Sequence, residues 1–529
     1  MKRSRMYLLC VSVLCLVFIF FVVQCDKDKG TSPSDQTQTK WTILVYSAGN
    51  NNLDKSLNNT SYVIENVHGL EKIGSTDEVQ VVVMLASFKT GGVGKYYHIE
   101  KHTSEMLDSV SSSVLEDLGT KDMSDPTTLK DFVQYGVENY PADHYMLIID
   151  DHGGGWRGAC LDEQNGAGDM MTLPEVKSAL SWDSAPKFDL IVFHASLMSM
   201  VEVAYELKGC ADYLVACQLT MPMENLLGSE EWLGGLVANP NMSALDLGKS
   251  IVTAVYNAGQ KKDKLTHFAL TDLSKVNDLS ARIATLGKHL ITETGDYWNE
   301  VSHAWGETHS TQYDDAAFVD IGEFVKKVLQ EEHLKNIPLI SSDAQAVIDG
   351  VNEAVPYAKT NIAGFTRGGL CIHFPFTKAD FDSANYVKIA FRTTNWHNFL
   401  SEFIQKIGGG PAQQAQISGT VTWPGHTLSA NTYAWLDSSH SKFINIAFLA
   451  LTYVDPATGN YTITIDLQAP MEVFIEAADD LDGDRTVLEP DEAFGWYDPN
   501  GNQLWEWEDM IILSPGQQLS GINITLLDL

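Results

Sequence analysis

Two short apolar runs constrain the fold of this chain more than any other feature. Tyr145-Met146-Leu147-Ile148-Ile149-Asp150 and Phe188-Asp189-Leu190-Ile191-Val192-Phe193 have the length and continuity of strands buried inside a parallel sheet. The first breaks into Asp151-His152-Gly153-Gly154-Gly155-Trp156, and the second delivers His194, Ala195, Ser196, Leu197 and Met198. Catalytic groups in open α/β sheets gather at the carboxyl ends of strands, so both segments are predicted to reach one sheet edge. His152 is placed there like a general base. Glycines open backbone conformations closed to other residues, and the Gly153 N–H is a candidate oxyanion donor. Met198 to Leu207 then has helical apolar spacing, and Ala211-Asp212-Tyr213-Leu214-Val215-Ala216-Cys217 reads as the next strand. The expected fold is an α/β domain, a mostly parallel sheet flanked by helices.

Five separated stretches carry a resemblance. They are Asn50-Asn51-Asn52-Leu53, His152-Gly153-Gly154-Gly155-Trp156, Leu197-Met198 with Val201-Glu202-Val203-Ala204-Tyr205, Ala211-Asp212-Tyr213, and Gly368-Gly369-Leu370-Cys371-Ile372-His373-Phe374-Pro375. In this order they resemble the clostripain family of cysteine peptidases, whose members share the caspase-like fold, over residues 41–407. The resemblance implies that His152 is the catalytic histidine and that Ser196 stands at the cysteine nucleophile position. It also implies that His194 replaces an aspartate that helps bind an arginine or lysine side chain. Family members read Asp-Ala-Cys-Leu-Met where this chain has His194-Ala195-Ser196-Leu197-Met198. Acidic residues follow the next strand in the family, whereas this chain has Cys217-Gln218-Leu219-Thr220, so the pocket formed with Gln218 is expected to have lost negative charge.

A thiol beside a histidine ionises near neutral pH, and the thiolate is the nucleophile. A serine hydroxyl has no comparable anion, so His152 would have to take its proton during attack, with a third residue orienting the imidazole. Loss of one catalytic member costs on the order of 10⁴-fold or more in rate. A degenerate, inactive peptidase homologue (a pseudoprotease) is therefore the leading expectation. Three further readings stand beside it. His194 and Ser196 would share one face of an extended strand, making His194 a base for Ser196. Cys217 would be a relocated thiol, or a small buried core residue. Asp151, His152 and His194 would hold a divalent metal. Cys160 lies near Asp162, Glu163 and Asp169, which disfavour its thiolate. Cys210 and Cys371 read as buried apolar residues, and no disulfide framework is visible in the spacing.

At the N-terminus, Lys2, Arg3 and Arg5 precede the apolar stretch Met6 to Val23, the layout of a secretory signal. That stretch is also just long enough to cross a bilayer as an uncleaved anchor. Val22-Val23-Gln24-Cys25 followed by a polar segment resembles a bacterial lipoprotein signal, with Cys25 as the lipidated residue. Residues 1–25 are thus expected to be a signal peptide and 26–40 a polar tether, which places the body outside the cytoplasm on the cell envelope. The chain has 529 residues and a formal net charge of −34, which argues against nucleic-acid partners because phosphate contacts need basic patches.

Gly408-Gly409-Gly410-Pro411 opens an expected linker, residues 408–416. From 417 to 529 the periodicity becomes two, as in Ile417-Ser418-Gly419-Thr420-Val421-Thr422-Trp423 and Glu472-Val473-Phe474-Ile475-Glu476-Ala477, which predicts a β-sandwich. This part resembles carboxypeptidase-regulatory-like modules. Within it, Asp480, Asp482 and Asp484 around Gly483 are candidate calcium ligands, and the alternative is a solvated acidic turn. No cofactor is expected for the peptidase-like domain. The expected partner is a peptide or protein ligand, bound by a scaffold protein or cut by an endopeptidase that uses Ser196 with His152 and lacks an arginine or lysine preference.

Overall fold

The computed structural model describes residues 38–54, 61–102, 109–166, 168–221, 227–308, 315, 317–362, 368–408, 413–437, 448–467, 471–481, 493–498, 511–513 and 517–528. Cys25 and the whole signal and tether region before residue 38 lie outside them. One nine-stranded sheet organises the first part of the chain. In chain order its strands are β1 (Trp41–Gly49), β2 (Val79–Ser87), β3 (Val93–His98), β4 (Val114–Thr120), β5 (His144–Asp150), β6 (Phe188–His194), β7 (Ala211–Cys217), β8 (His267–Asp272) and β9 (Tyr357–Thr360). Across the sheet they run β9-β8-β7-β6-β5-β1-β2-β3-β4. The five central strands β7, β6, β5, β1 and β2 are parallel, and the pairs beyond them are antiparallel. The sheet is therefore mixed, with a parallel heart at the two apolar runs that predicted one.

Side chains alternate between two cores. Leu44, Tyr46, Leu147, Ile149, Ile191 and Phe193 enter one, which also takes in Leu129 and Phe132 of the helix Pro126–Asn139. Ile43, Val45, Met146, Ile148, Leu190 and Val192 enter the other, against Val63 and Val67 of the helix Tyr62–Glu71. Burial on both faces is why these strands read as continuous apolar runs rather than as alternating ones. The Ser61 hydroxyl caps the helix Tyr62–Glu71 by accepting the Ile64 N–H at 3.2 Å, which fixes where that helix starts above the sheet edge.

The chain leaves β1 toward β2 on one side and returns through β5 on the other. The carboxyl ends of β1 and β5 thus border the crevice where open α/β sheets place their ligands. A two-stranded ladder of Phe318–Asp320 with Cys371–His373 lies nearby, since the Cys371 N–H donates to the Ser199 carbonyl at 2.9 Å.

The C-terminal part is all-β. Gln413–Thr422 pairs with Asn460–Leu467 and Gln518–Ser520 in one sheet, and Thr432–Asp437 pairs with Phe448–Tyr453 and Met471–Asp479 in a second. Ala415, Ile417 and Val421 of the first share a core with Ala434, Leu436, Val473 and Ile475 of the second, which makes the pair of sheets a sandwich. Its first strand begins at Gln413, inside the stretch the composition marked as linker, and the preceding helix Trp396–Gly408 runs to the first linker glycine.

Candidate active site

Period two fixes which side chains meet at the sheet edge. Ser47, Asp150 and His194 are aligned across β1, β5 and β6, with Ser47 opposite Asp150 and Asp150 opposite His194. Each continues the face of its strand that points toward the helix Tyr62–Glu71. The result is a polar row buried at the end of an apolar core. Asp150 accepts the Ser47 hydroxyl at 2.9 Å, the Asn66 amide of that helix at 2.8 Å and His194 Nδ1–H at 2.7 Å. Three donors compensate the burial of this carboxylate. With Nδ1 committed, His194 presents Nε2, which is buried and has no partner among the described residues; the same is true of Asn66 Oδ1.

The turn after β5 is tied to the turn after β1. Asn51 donates to Asp151 Oδ1 at 2.6 Å and to the Leu161 carbonyl at 2.8 Å, while Asp151 Oδ2 accepts the Leu161 N–H at 2.7 Å. Burial pushes the Asp151 carboxyl well above the usual carboxylate range. His152 follows, and its Nε2–H donates to Asn52 Oδ1 at 2.6 Å. That bond leaves Nδ1 as the lone-pair nitrogen, the tautomer a general base needs. Burial lowers the His152 pKa from its usual value, partly opposed by Glu163. Gly153 packs directly under Ser196: a Cβ there would lie 2.2 Å from the Ser196 carbonyl oxygen. Gly154 donates to Gly158 and Cys160 to His152, and neither bond uses the Gly153 N–H.

Strand β6 ends at His194, and Ser196 sits in the turn beyond it, with Leu197 at φ 67°. This overturns the expectation of an extended pair: His194 and Ser196 are not on one continuing strand, and the His194 proton goes to Asp150. Ser196 Oγ accepts the Met221 N–H at 2.9 Å, and no hydrogen bond joins it to His152 among the described residues. His152, His194, Ser196 and Met221 nonetheless line a single cavity of about 70 Å³, together with Asp150, Asp151 and Asn66.

The other expected residues fall elsewhere. Gln218 is buried away from that cavity, donating to Asp320 Oδ2 at 2.7 Å and to Cys371 Sγ at 3.5 Å, so it is a core contact rather than a pocket wall. Cys217 is 2% exposed, and burial pushes its thiol up to about 12, which removes it as a relocated nucleophile. Cys160 is buried with its pKa raised well above the usual value, by burial first and then by Asp151 and Asp150. Cys160, Cys210, Cys217 and Cys371 are all free. Asp151 is bonded to Asn51 and Leu161, His152 and His194 each commit one ring nitrogen to Asn52 and Asp150, and among the described residues no three His, Cys, Asp or Glu side chains cluster as metal ligands. In the sandwich, Asp480 follows the strand Met471–Asp479 and is buried, whereas Asp482 and Asp484 lie outside the described residues.

Four residues that hold the site were given no role by the sequence reading: Asn52, Asn66, Ser47 and Asp150. Asn52 sat within a noted motif, and Asp150 ended a noted strand. Nothing in the sequence announced Asn66, which arrives from a helix.

An open α/β sheet with helices on both faces, carrying the His152-Gly153 turn and the Ser196 turn at its carboxyl edge, is caspase-like in fold. The chain belongs to the clostripain family, whose model matches residues 45–372. It is 29% identical over 216 residues to clostripain of Hathewaya histolytica, a match covering 35% of this chain and 40% of that protein. Two solved structures share the fold. One is a secreted C11 cysteine protease of Bacteroides thetaiotaomicron in complex with an irreversible peptide inhibitor, with TM-score 0.51, 20% identity, and 68% of this chain and 99% of that one covered. The other is an inactive zymogen C11 protease of Parabacteroides distasonis, with TM-score 0.50, 20% identity, and 68% and 98% covered.

Proposed function

We propose that this protein is a cell-envelope member of the clostripain family that has lost cysteine-peptidase chemistry and uses the retained groove to bind peptide or protein ligands. One observation carries the reading. At the position the resemblance assigns to the nucleophile stands Ser196, whose hydroxyl accepts the Met221 N–H and makes no bond to His152, while the alternative thiol Cys217 is buried with its pKa pushed up to about 12. Without a thiolate, His152 has no nucleophile of comparable rate to activate. The extracytoplasmic placement rests on the signal-like N-terminus and on the secreted relative from Bacteroides thetaiotaomicron. Lipid anchoring through Cys25, and calcium at Asp480, Asp482 and Asp484, are parts of the same proposal that rest on sequence alone.

A second reading has its own support. The Asn52–His152 bond supplies the orienting third residue that a serine nucleophile requires, so Ser196 with His152 as base makes a slow serine endopeptidase. One experiment separates the two. The 26–529 protein and its Ser196→Cys and Ser196→Ala forms are incubated with fluorescent peptides covering all side chains at the cleaved position. Cleavage by the parent that vanishes in Ser196→Ala establishes the serine endopeptidase. A silent parent whose Ser196→Cys form cleaves supports a groove that lacks only its nucleophile.

A further inference from the structure

The buried row beneath Ser196 ends in two polar atoms without partners, and both belong to residues that line the cavity. His194 is 8% exposed and Asn66 is 4% exposed. His194 Nε2 and Asn66 Oδ1 are the unpaired atoms. Leaving a buried polar atom unmet costs about 1–3 kcal/mol, so two on one small cavity favour any ligand group that satisfies both. Their chemistry is specific. Asn66 Oδ1 only accepts, its amide nitrogen being held by Asp150 at 2.8 Å. His194 has given Nδ1–H to Asp150, so neutral His194 accepts at Nε2 and the imidazolium donates there.

We propose that this cavity is a recognition pocket for a short side-chain carboxamide, an asparagine of the bound peptide, with His194 and Asn66 as its specificity-determining residues. The inference rests on the peptide-binding reading above and names the side chain that groove takes. A carboxamide NH₂ gives one hydrogen to Asn66 Oδ1 and one to neutral His194 Nε2. When His194 is protonated, the carboxamide oxygen accepts Nε2–H while its NH₂ still serves Asn66. No other short side chain meets both atoms in both states. A carboxylate has no hydrogen for Asn66 and would face the Asp150 carboxylate, which lines the same cavity. A hydroxyl has a single hydrogen. Lysine and arginine carry only donors, which the imidazolium of His194 repels, and position 194 offers them no carboxylate while Asp150 is already taken by three donors. The adjacent Ser196 and His152 set which peptide residue reaches the pocket: the one whose carbonyl lies at Ser196.

The test uses the 26–529 protein and its Ser196→Cys form with fluorescent peptides identical except for Asn, Asp, Ser, Leu, Lys or Arg at that residue. Binding is read by anisotropy with the parent and cleavage with the Ser196→Cys form. The expected result is a preference for Asn on the order of tenfold or more over each of the others. His194→Asp is expected to reverse it toward Lys and Arg, and Asn66→Leu to flatten it; His194→Gln, which keeps a polar group of similar reach, checks that lost preference is not lost folding. Measurable binding or cleavage with no Asn preference, or with a Lys and Arg preference in the parent, overturns the pocket assignment and leaves the peptide-binding reading intact. Absence of binding and cleavage for every peptide in every form overturns that reading and the pocket with it.

Discussion

His152 owes its tautomer to Asn52 and its depressed pKa to burial, and each cause can be removed separately. An NMR titration of the His152 imidazole is expected to show a midpoint below 6.5, and Glu163→Gln is expected to lower it further, because Glu163 is the group that opposes the burial. A midpoint at or above 6.5 would contradict the assigned cause. In a cleaving Ser196→Cys background, Asn52→Ala is expected to lower kcat by about a hundredfold, since a misplaced base loses that much, and Asn52→Asp to recover most of it. Gly153 is a matter of space. Gly153→Ala puts a Cβ against the Ser196 carbonyl and Met198, and is expected to cost about 1–3 kcal/mol in urea unfolding. Gly154→Ala meets the flexible Met170 sulfur first and is expected to cost less. The sequence singled out Ser196 and His152 because family-like motifs surround them. Gln218 was misplaced because the residue after a strand can turn to either face, and here it turns to Asp320.

Strands β1, β5 and β6 carry the site as a unit. Their parallel register sets Ser47, Asp150 and His194 side by side, and Asn66 closes the row from the helix above. Ser47→Ala removes one of three donors to a buried carboxylate and is expected to destabilise the protein by about 1–3 kcal/mol, with the loss seen in chemical denaturation. A cost near zero would mean that the row is not held as described. The apolar runs made these strands visible in the sequence, because burial on both faces leaves no room for polar alternation. Strand order and register were not visible: they follow from which apolar surfaces pack together, and no single run encodes its neighbour. The turn after His194 was missed for a related reason. Leu197 at φ 67° is a conformation an L-residue avoids unless its surroundings impose it, and here the Leu197 N–H is held by the Leu219 carbonyl at 3.0 Å.

Across the whole molecule, the four cysteines between residues 26 and 529 are free and buried, so the native protein is expected to resist a maleimide and the unfolded chain to take up four equivalents. Buried ionisable groups give the protein a pH signature as well. Burial raises Glu202 from 4.5 to about 7 and lowers His373 from 6.5 to about 3. Glu202 is neutral in both states below pH 4.5; as pH rises toward 7 the unfolded chain ionises it and the folded one does not, so stability falls by about 3 kcal/mol at 1.36 kcal/mol per unit. His373 acts in the opposite sense, its contribution being complete above pH 6.5 and lost as pH falls toward 3. The parent-minus-Glu202→Gln stability difference is therefore expected to decline between pH 4.5 and 7, and a flat difference would refute the burial of that carboxyl. By itself the sequence determined the family and the α/β and all-β division, because those features are written in local periodicity and contiguous motifs. Only the tertiary structure decided that Asn52 orients His152, that Met221 rather than a base meets Ser196, and that Asp150, His194 and Asn66 close a small polar pocket. Those partners lie 25 to 128 residues apart in the chain, and only strand register and helix docking bring them within a hydrogen bond.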